Sequence, residues 1–397
     1  MELTSSTYKH SIIDPQNSSR DEILNEINRL SLLMNEKGNE EQAIKIFINS
    51  IYGATASPYF VGYNVRVAEA ITLQGQDIIK FVSKTVNRYF YEFWHRDTEL
   101  HSKLGITKVE KIKNDVTIYG DTDSAYVTFQ EPLFGSDWSG EDPTEFVLGV
   151  YNHRLKDYLK KAFDKYGDSW GTQNIQDLEM ETISYSAIFL RKKKYVLDLR
   201  WKDPGVFYEP QKKIKAKGVE IAQGSTPSFV RARMKTLLEY IFREKNKLNL
   251  REFAEILKRE KQAFTMENIE NVAFSSSISD YEKGIADDKT RLELHSHCPM
   301  HVRAAGCHNF TLNKSKWKNK YQMIKSGDKV RYYYAKAERG EENVFAFLPG
   351  NFPVEFAPPV DYDTQFSKGL IEPLNRFISA IGLPPISSDI IVRTQLF

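Results

Sequence analysis

Between two runs rich in β-formers, Val116 to Tyr119 and Ala125 to Phe129, the chain reads Gly120-Asp121-Thr122-Asp123. A short insert of turn residues between β-prone runs predicts a β-hairpin with an acidic tip. Side chains two apart on a strand share a face, which would bring Asp121 and Asp123 toward one spot. Two carboxylates so placed repel unless a cation lies between them. Hard oxygen ligands suit Mg²⁺, and two such ions can clamp the attacking and leaving oxygens of a phosphoryl transfer. Asp and Gly are equally the favoured residues of an ordinary hairpin turn, so the tip alone leaves both readings open.

The rest of the chain is largely helical in period. Apolar residues at Ile23, Leu24, Ile27, Leu30, Leu32 and Leu33, then a similar spacing from Glu40 to Tyr52 after Lys37-Gly38-Asn39, predict a helical hairpin. A long helix is predicted over about Val67 to Phe93 and another over Phe146 to Tyr166, followed by strands near Thr182 to Phe189 and Lys194 to Leu199 with a turn at Asp203-Pro204-Gly205. After Gly224, Ser225 and Thr226 can cap and Pro227 suits a first helical position, ahead of a core-type stripe of Phe229, Val230, Met234, Leu237, Leu238 and Ile241. Lys217 to Thr226 is the best domain boundary.

At 397 residues the chain is expected to hold two or three domains, and 41% apolar with 27% charged residues is the balance of a soluble globular protein. Two cysteines cannot build a disulfide framework and suit a reducing compartment. No apolar run reaches the roughly 18 residues of a membrane span, and the polar N-terminal stretch reads as a loose tail, not a signal peptide. Net charge is only +2, yet its distribution is uneven. Arg191 to Lys217 carries ten basic residues against three acids, and Thr311 to Lys336 eight against one, both interleaved with aromatics. Such runs are commonly solvated faces, but they also form positive surfaces able to track a phosphate backbone.

Lys45, Asn49 and Tyr52 fall at i, i+4 and i+7, one face of a helix. An ammonium, an amide and a phenol in one stripe could meet a triphosphate, a sugar and a base in turn; a solvated face has the same spacing. Taken with the acidic tip, Lys45 to Gly53 and Tyr119 to Ser124 resemble motifs B and C of the B-family DNA polymerases. Ala70-Ile71-Thr72 with Gly75-Gln76 matches the helix after motif B, and Lys192-Lys193-Lys194-Tyr195 resembles the family's Lys-Lys-x-Tyr segment. Lys217-Gly218-Val219-Glu220 with Ser225-Thr226-Pro227, and Cys298 to Arg303, are similar to the thumb of polymerases of T-even bacteriophages. The resemblance runs from about residue 40 onward.

The resemblance implies an α+β fold: a helical fingers fragment in residues 1–56, a palm carrying the acidic hairpin in 57–216, and a mainly helical thumb in 217–397. It implies template-directed addition of dNTPs to a primer 3′-end in phage DNA replication, in the host cytoplasm. Asp123 would be the direct metal ligand with Asp121 nearby, and Glu181, of the acidic pair with Glu179, a further carboxylate near two Mg²⁺ ions. Lys45 would neutralise the triphosphate, Asn49 and Tyr52 would line the nucleotide pocket, and Lys192, Lys193, Tyr195 and Lys217 would hold primer-template DNA. The family's motif A aspartate and its exonuclease are absent, so a partner chain is expected to supply both. The polar, unmatched stretch after Met1 is read as the start of a naturally split subunit. A noncatalytic DNA- or clamp-binding remnant is the alternative, and a nuclease using Asp121 and Asp123 a further rival. The apolar tail ending in Leu396-Phe397 is similar in character to the clamp-docking peptide of the phage enzymes. His295, His297, Cys298, His301, Cys307 and His308 offer enough N and S ligands for zinc but lack a Cys-x-x-Cys pair; in the resembling phage segment Cys and His are ordinary thumb residues.

Overall fold

In a computed structural model that describes residues 18–244, 247–338 and 340–387, Arg20–Thr55 form a single helix of 36 residues, α1. Ser19 and Glu22 close a capping box at its start: the Glu22 N–H donates to Ser19 Oγ at 3.3 Å and the Ser19 N–H to Glu22 Oε2 at 2.8 Å. The expected helical hairpin is therefore not formed. Gly38 sits inside the helix with open space around it, and Lys37 pairs with Glu40 at 2.8 Å across the intended turn. A glycine in a helix interior costs only about 1 kcal/mol relative to alanine, too little to break a helix that has no proline in it. Among the described residues α1 buries no side chain: Leu32, Met34 and Phe47 stand 71%, 74% and 67% exposed.

The described residues fall into two compact units, one running to Phe93 and including Lys113–Thr128, the other made of Trp94–Ile112 and the chain from Phe129 on. In the first, α1 is joined to α2 (Val65–Arg88) by a loop closed by the Asn64 N–H donating to the Thr55 carbonyl at 2.9 Å. Asn64 also caps α2, accepting from the Val67 N–H at 3.2 Å. Strands β1 (Thr117–Asp121) and β2 (Ser124–Val127) pair antiparallel as the expected hairpin.

The second unit contains a helical run from Pro143 to Ser169 with a π-turn at Tyr151–Leu155, then a four-stranded antiparallel sheet. Its strands are β3 (Thr182–Arg191), β4 (Lys194–Lys202), β5 (Val206–Phe207) and β6 (Ile214–Lys217), with β3, β5 and β6 all pairing with β4. Ile188 and Val196 of this sheet share one core with the stripe of Ser228–Glu244, in which Val230 and Leu238 have no exposed surface. A second core lies between the helix Met300–Lys314 and a three-stranded antiparallel sheet of Phe274–Ser277, Lys329–Tyr334 and Val344–Phe347. The region from 217 on thus carries a sheet that the sequence pattern did not predict. The fold class is α+β, and no helix among the described residues is long and apolar enough to cross a membrane.

Candidate active site and nucleic-acid interface

The acidic hairpin is built from α2 outward. Asn87, near the end of α2, accepts through Oδ1 from the backbone N–H groups of Val116 and Thr117 at 3.1 and 3.0 Å, which fixes where β1 begins. At the other end of β1, the α-carbon of Gly120 faces Ile79 of α2, where an added Cβ would already touch at 3.6 Å. The rings of Tyr119 and Tyr126 lie across the hairpin with centroids 5.3 Å apart. Asn87 escaped the sequence reading because nothing local marks an asparagine near a helix end as the anchor of a strand thirty residues on.

Asp121 pairs with Ser124, leaving a two-residue loop of Thr122 and Asp123. Thr122 takes the left-handed conformation with φ 58°, a tight turn in which the Asp123 N–H donates to the Asp121 carbonyl at 2.6 Å. The two aspartates do not share a strand: Asp121 ends β1 and Asp123 belongs to the loop. Strand alternation therefore does not relate them; the turn does. Asp121 is buried, at 4% exposure, and accepts from Thr122 Oγ1 at 3.1 Å, whereas Asp123 is exposed.

Lys45, Asn49 and Tyr52 all lie on α1 and are exposed. No hydrogen bond or ion pair among the described residues joins them to the hairpin. Glu181, just before β3, pairs with Lys215 at 3.8 Å. Among the described residues no group of three or more His, Cys, Asp or Glu could hold a metal ion. The hairpin turn offers two carboxylates, a hydroxyl and backbone carbonyls, an all-oxygen donor set that fits a hard cation sharing its remaining positions with phosphate.

The basic strands form their own hairpin. Arg191 pairs with Lys194, so Lys192 and Lys193 make the two-residue loop, with Lys193 held left-handed at φ 61°. Both lysines are exposed, as is Lys217, which pairs across β6 with Tyr195 of β4. Tyr195 itself is only 2% exposed, its ring 5.6 Å from that of Phe189.

Three members of the His/Cys cluster, Cys298, Cys307 and His308, are spent on packing, whereas His295 and His297 are exposed. Cys298 and Cys307 are buried free thiols, and burial pushes the Cys307 thiol up to about 12. His308 is buried with its ring nitrogens facing the carbonyls of Ala346 and Gln322 at 2.9 and 3.1 Å. The expectations for Leu396, Phe397 and the N-terminal tail lie outside the described residues.

The family model for DNA polymerase family B matches residues 17–134 and 167–381. The chain is 24% identical over 363 residues to the DNA-directed DNA polymerase of Enterobacteria phage T4, covering 85% of this chain and 37% of that protein. Against the DNA-directed DNA polymerase of Escherichia phage RB69 it is 24% identical over 364 residues, 85% of this chain and 36% of the relative. The DNA polymerase catalytic subunit of human herpesvirus 7 is 24% identical over 217 residues, 54% of this chain and 18% of that protein. The chain thus spans little more than a third of the length of the phage relatives it matches. The family match takes in α1, the acidic hairpin and the basic hairpin together, and on it this chain belongs to DNA polymerase family B.

Proposed function

We propose that the chain is the motif B, motif C and thumb portion of a phage-type replicative DNA polymerase, adding dNTPs to a primer 3′-end in the cytoplasm of an infected bacterium. The observation that carries this reading is the Asp121–Asp123 turn, set on a family-B chain between a nucleotide-type helix and a basic hairpin. The primer 3′-hydroxyl attacks the α-phosphorus and pyrophosphate leaves. Bound Mg²⁺, two ions in this chemistry, would be held by Asp123 and Asp121 and would supply Lewis-acid stabilisation of charge on the reacting oxygens.

The chain's own side chains do the rest. The exposed ammonium of Lys45 neutralises the incoming triphosphate, Asn49 one turn on supports the nucleotide, and Tyr52 packs against the nascent base pair. Lys192, Lys193 and Lys217 hold the primer-template duplex through its phosphates, and Tyr195 acts from the core beneath them. Residues 1–56 are assigned to fingers, 57–216 to palm and 217–397 to thumb.

Motif A and the exonuclease of the family lie outside these 397 residues, and in the split-enzyme reading a partner chain supplies both. The apolar surface that α1 leaves in the open, with Phe47, Ile48 and Ile51 all more than half exposed, supports a protein partner there. Leu396 and Phe397 dock a ring-shaped sliding clamp. The decisive experiment is primer extension by the reconstituted pair. Asp123→Asn should abolish incorporation and leave duplex affinity nearly intact, whereas activity within tenfold of wild type would refute the metal assignment.

A further inference from the structure

Helix α2 and strand β1 run past one another in opposite directions and meet at two points. At one, Asn87 Oδ1 accepts from the Val116 and Thr117 N–H groups at 3.1 and 3.0 Å; at the other, earlier in the helix, Ile79 faces the α-carbon of Gly120. The helix rises about 12 Å from Ile79 to Asn87, and the strand covers about 10 Å from Thr117 to Gly120, so the two contacts bracket the strand. Within that stretch of helix Val82 and Val86 are buried, as is Val116 at the foot of the strand. The seat of the acidic hairpin is therefore apolar along its length, with Asn87 as a polar anchor at its foot.

The anchor sits where the strand is irregular. Thr117 pairs with Val127 and Tyr119 with Tyr126, so Ile118 is an extra residue, a β-bulge, and its side chain is 55% exposed. Past the bulge the ladder is regular, Gly120 opposite Ala125 and Asp121 opposite Ser124. If the bulge moved along the strand by one residue, each side chain it passed would turn to the other face. Asn87 takes the two N–H groups immediately before the bulge, and from the partner strand's end the Thr128 N–H donates to the Val116 carbonyl at 2.7 Å. With both sides of the foot held, Asp121 is the residue that reaches the inner face at the turn. Farther on, in the π-turn Tyr89–Phe93 that continues α2, the Tyr91 hydroxyl donates to Asp115 Oδ1 at 3.0 Å and steadies the approach to the strand.

We propose that Asn87 is a positioning residue for nucleotide addition: it fixes the register of β1, and through the register the place of the Asp121 carboxylate, while touching neither substrate nor metal. The inference rests on the assignment of Asp121 to the reacting site. A displacement of about 1 Å at a reacting group can cost about a hundredfold in rate, so an anchor four residues away along a stiff strand has leverage on the chemistry. Both bonds from Asn87 to the foot of the strand are accepted by its side-chain oxygen, so aspartate can replace it there and alanine cannot.

The test compares Asn87→Ala, Asn87→Asp and Asp121→Asn. In the full chain, amide hydrogen exchange read by mass spectrometry should rise in Asn87→Ala from Val116 through Asp123, the turn included, and stay unchanged in the sheet from Thr182 to Lys217. In the reconstituted pair Asn87→Ala should lower kcat by about tenfold or more and raise the Mg²⁺ concentration needed for half-maximal rate, with KM for dNTP and duplex affinity changed by less than about twofold. Asn87→Asp should recover most of the lost rate and the wild-type Mg²⁺ dependence. Faster exchange confined to Val116 and Thr117, an unchanged Mg²⁺ dependence, or no recovery in Asn87→Asp overturns the proposal. Asp121→Asn separates it from the reading beneath: full activity there removes Asp121 from the site and this inference with it, whereas loss there beside full activity in Asn87→Ala overturns the inference alone.

Discussion

Gly218 backs onto Lys193 so closely that a Cβ at residue 218 would overlap the Lys193 carbonyl oxygen, and Gly218 itself is left-handed at φ 67°. The lysine loop proposed to meet the duplex is thus seated against backbone from the strand beside it. Both features demand glycine at 218: the conformation disfavours any L side chain, and the contact leaves no room for one.

Gly218→Ala should therefore displace the Lys192–Lys193 loop. The left-handed φ alone costs about 1–2 kcal/mol, and the overlap adds to it. A lowered unfolding midpoint together with weakened primer-template binding is expected, measured by circular dichroism melts and anisotropy. Unchanged values in both would mean the loop does not depend on this seat.

Asp121→Asn separates the two aspartates of the turn. Asparagine keeps the shape and an acceptor for the Thr122 hydroxyl, so thermal stability should shift little. Incorporation by the reconstituted enzyme should fall at least tenfold through the lost charge. Wild-type extension rates would remove Asp121 from the site.

Phe47→Asp places a charge in the apolar surface of α1 where the native ring is 67% exposed. The isolated chain should become more soluble, and its association with the proposed partner polypeptide should weaken by more than tenfold, read by light scattering and by analytical ultracentrifugation of the mixture. Undiminished association would place the partner elsewhere.

Stability should fall in two steps as the solution is acidified. Burial holds His101, His301 and His308 below the usual imidazole value of 6.5 in the folded chain. The unfolded chain then binds more protons, and stability is lost as pH drops through about 6.5 toward the lower folded values. Further down, hydrogen bonds from the Thr107 hydroxyl and the Thr107 and Lys108 N–H groups hold Asp137 at about 2. Lys103 and Arg154 hold Glu99 at about 2 as well. These carboxylates stabilise the fold above their unfolded values, 3.8 for Asp137 and 4.5 for Glu99, and that contribution disappears as pH falls toward 2. Melting curves from neutral to acidic pH should show the first decline between about pH 7 and 5; a flat profile there would contradict the burial of these imidazoles.

The acidic hairpin was legible in the sequence because its signals are local: β-prone runs, turn residues between them and nothing else required. The stripe from Phe229 to Ile241 was legible for the same reason, and its residues fill a core as expected. What escaped were features set by distant partners. Gly38 and Asn39 carry turn chemistry, yet the helix runs through them, with open space around Gly38 and, among the described residues, no side chain of α1 buried. Phe274–Ser277 reads Phe-Ser-Ser-Ser, without apolar alternation, and becomes a strand only through pairing with Lys329–Tyr334 more than fifty residues later. Tyr195, next to three lysines, looks like a surface residue until β6 closes beside it and β3 brings Phe189 against its ring.

The burial of Cys298 and Cys307 makes the native chain chemically quiet toward thiol reagents, since burial raises both thiols and keeps them in the reactive form's minority. A single cysteine introduced on the surface, for instance Lys318→Cys or Thr122→Cys, would then be the preferred point of attachment for a dye or a spin label without first stripping the native pair. Distances from residue 318 or from the acidic turn to a labelled oligonucleotide become directly measurable on the folded chain.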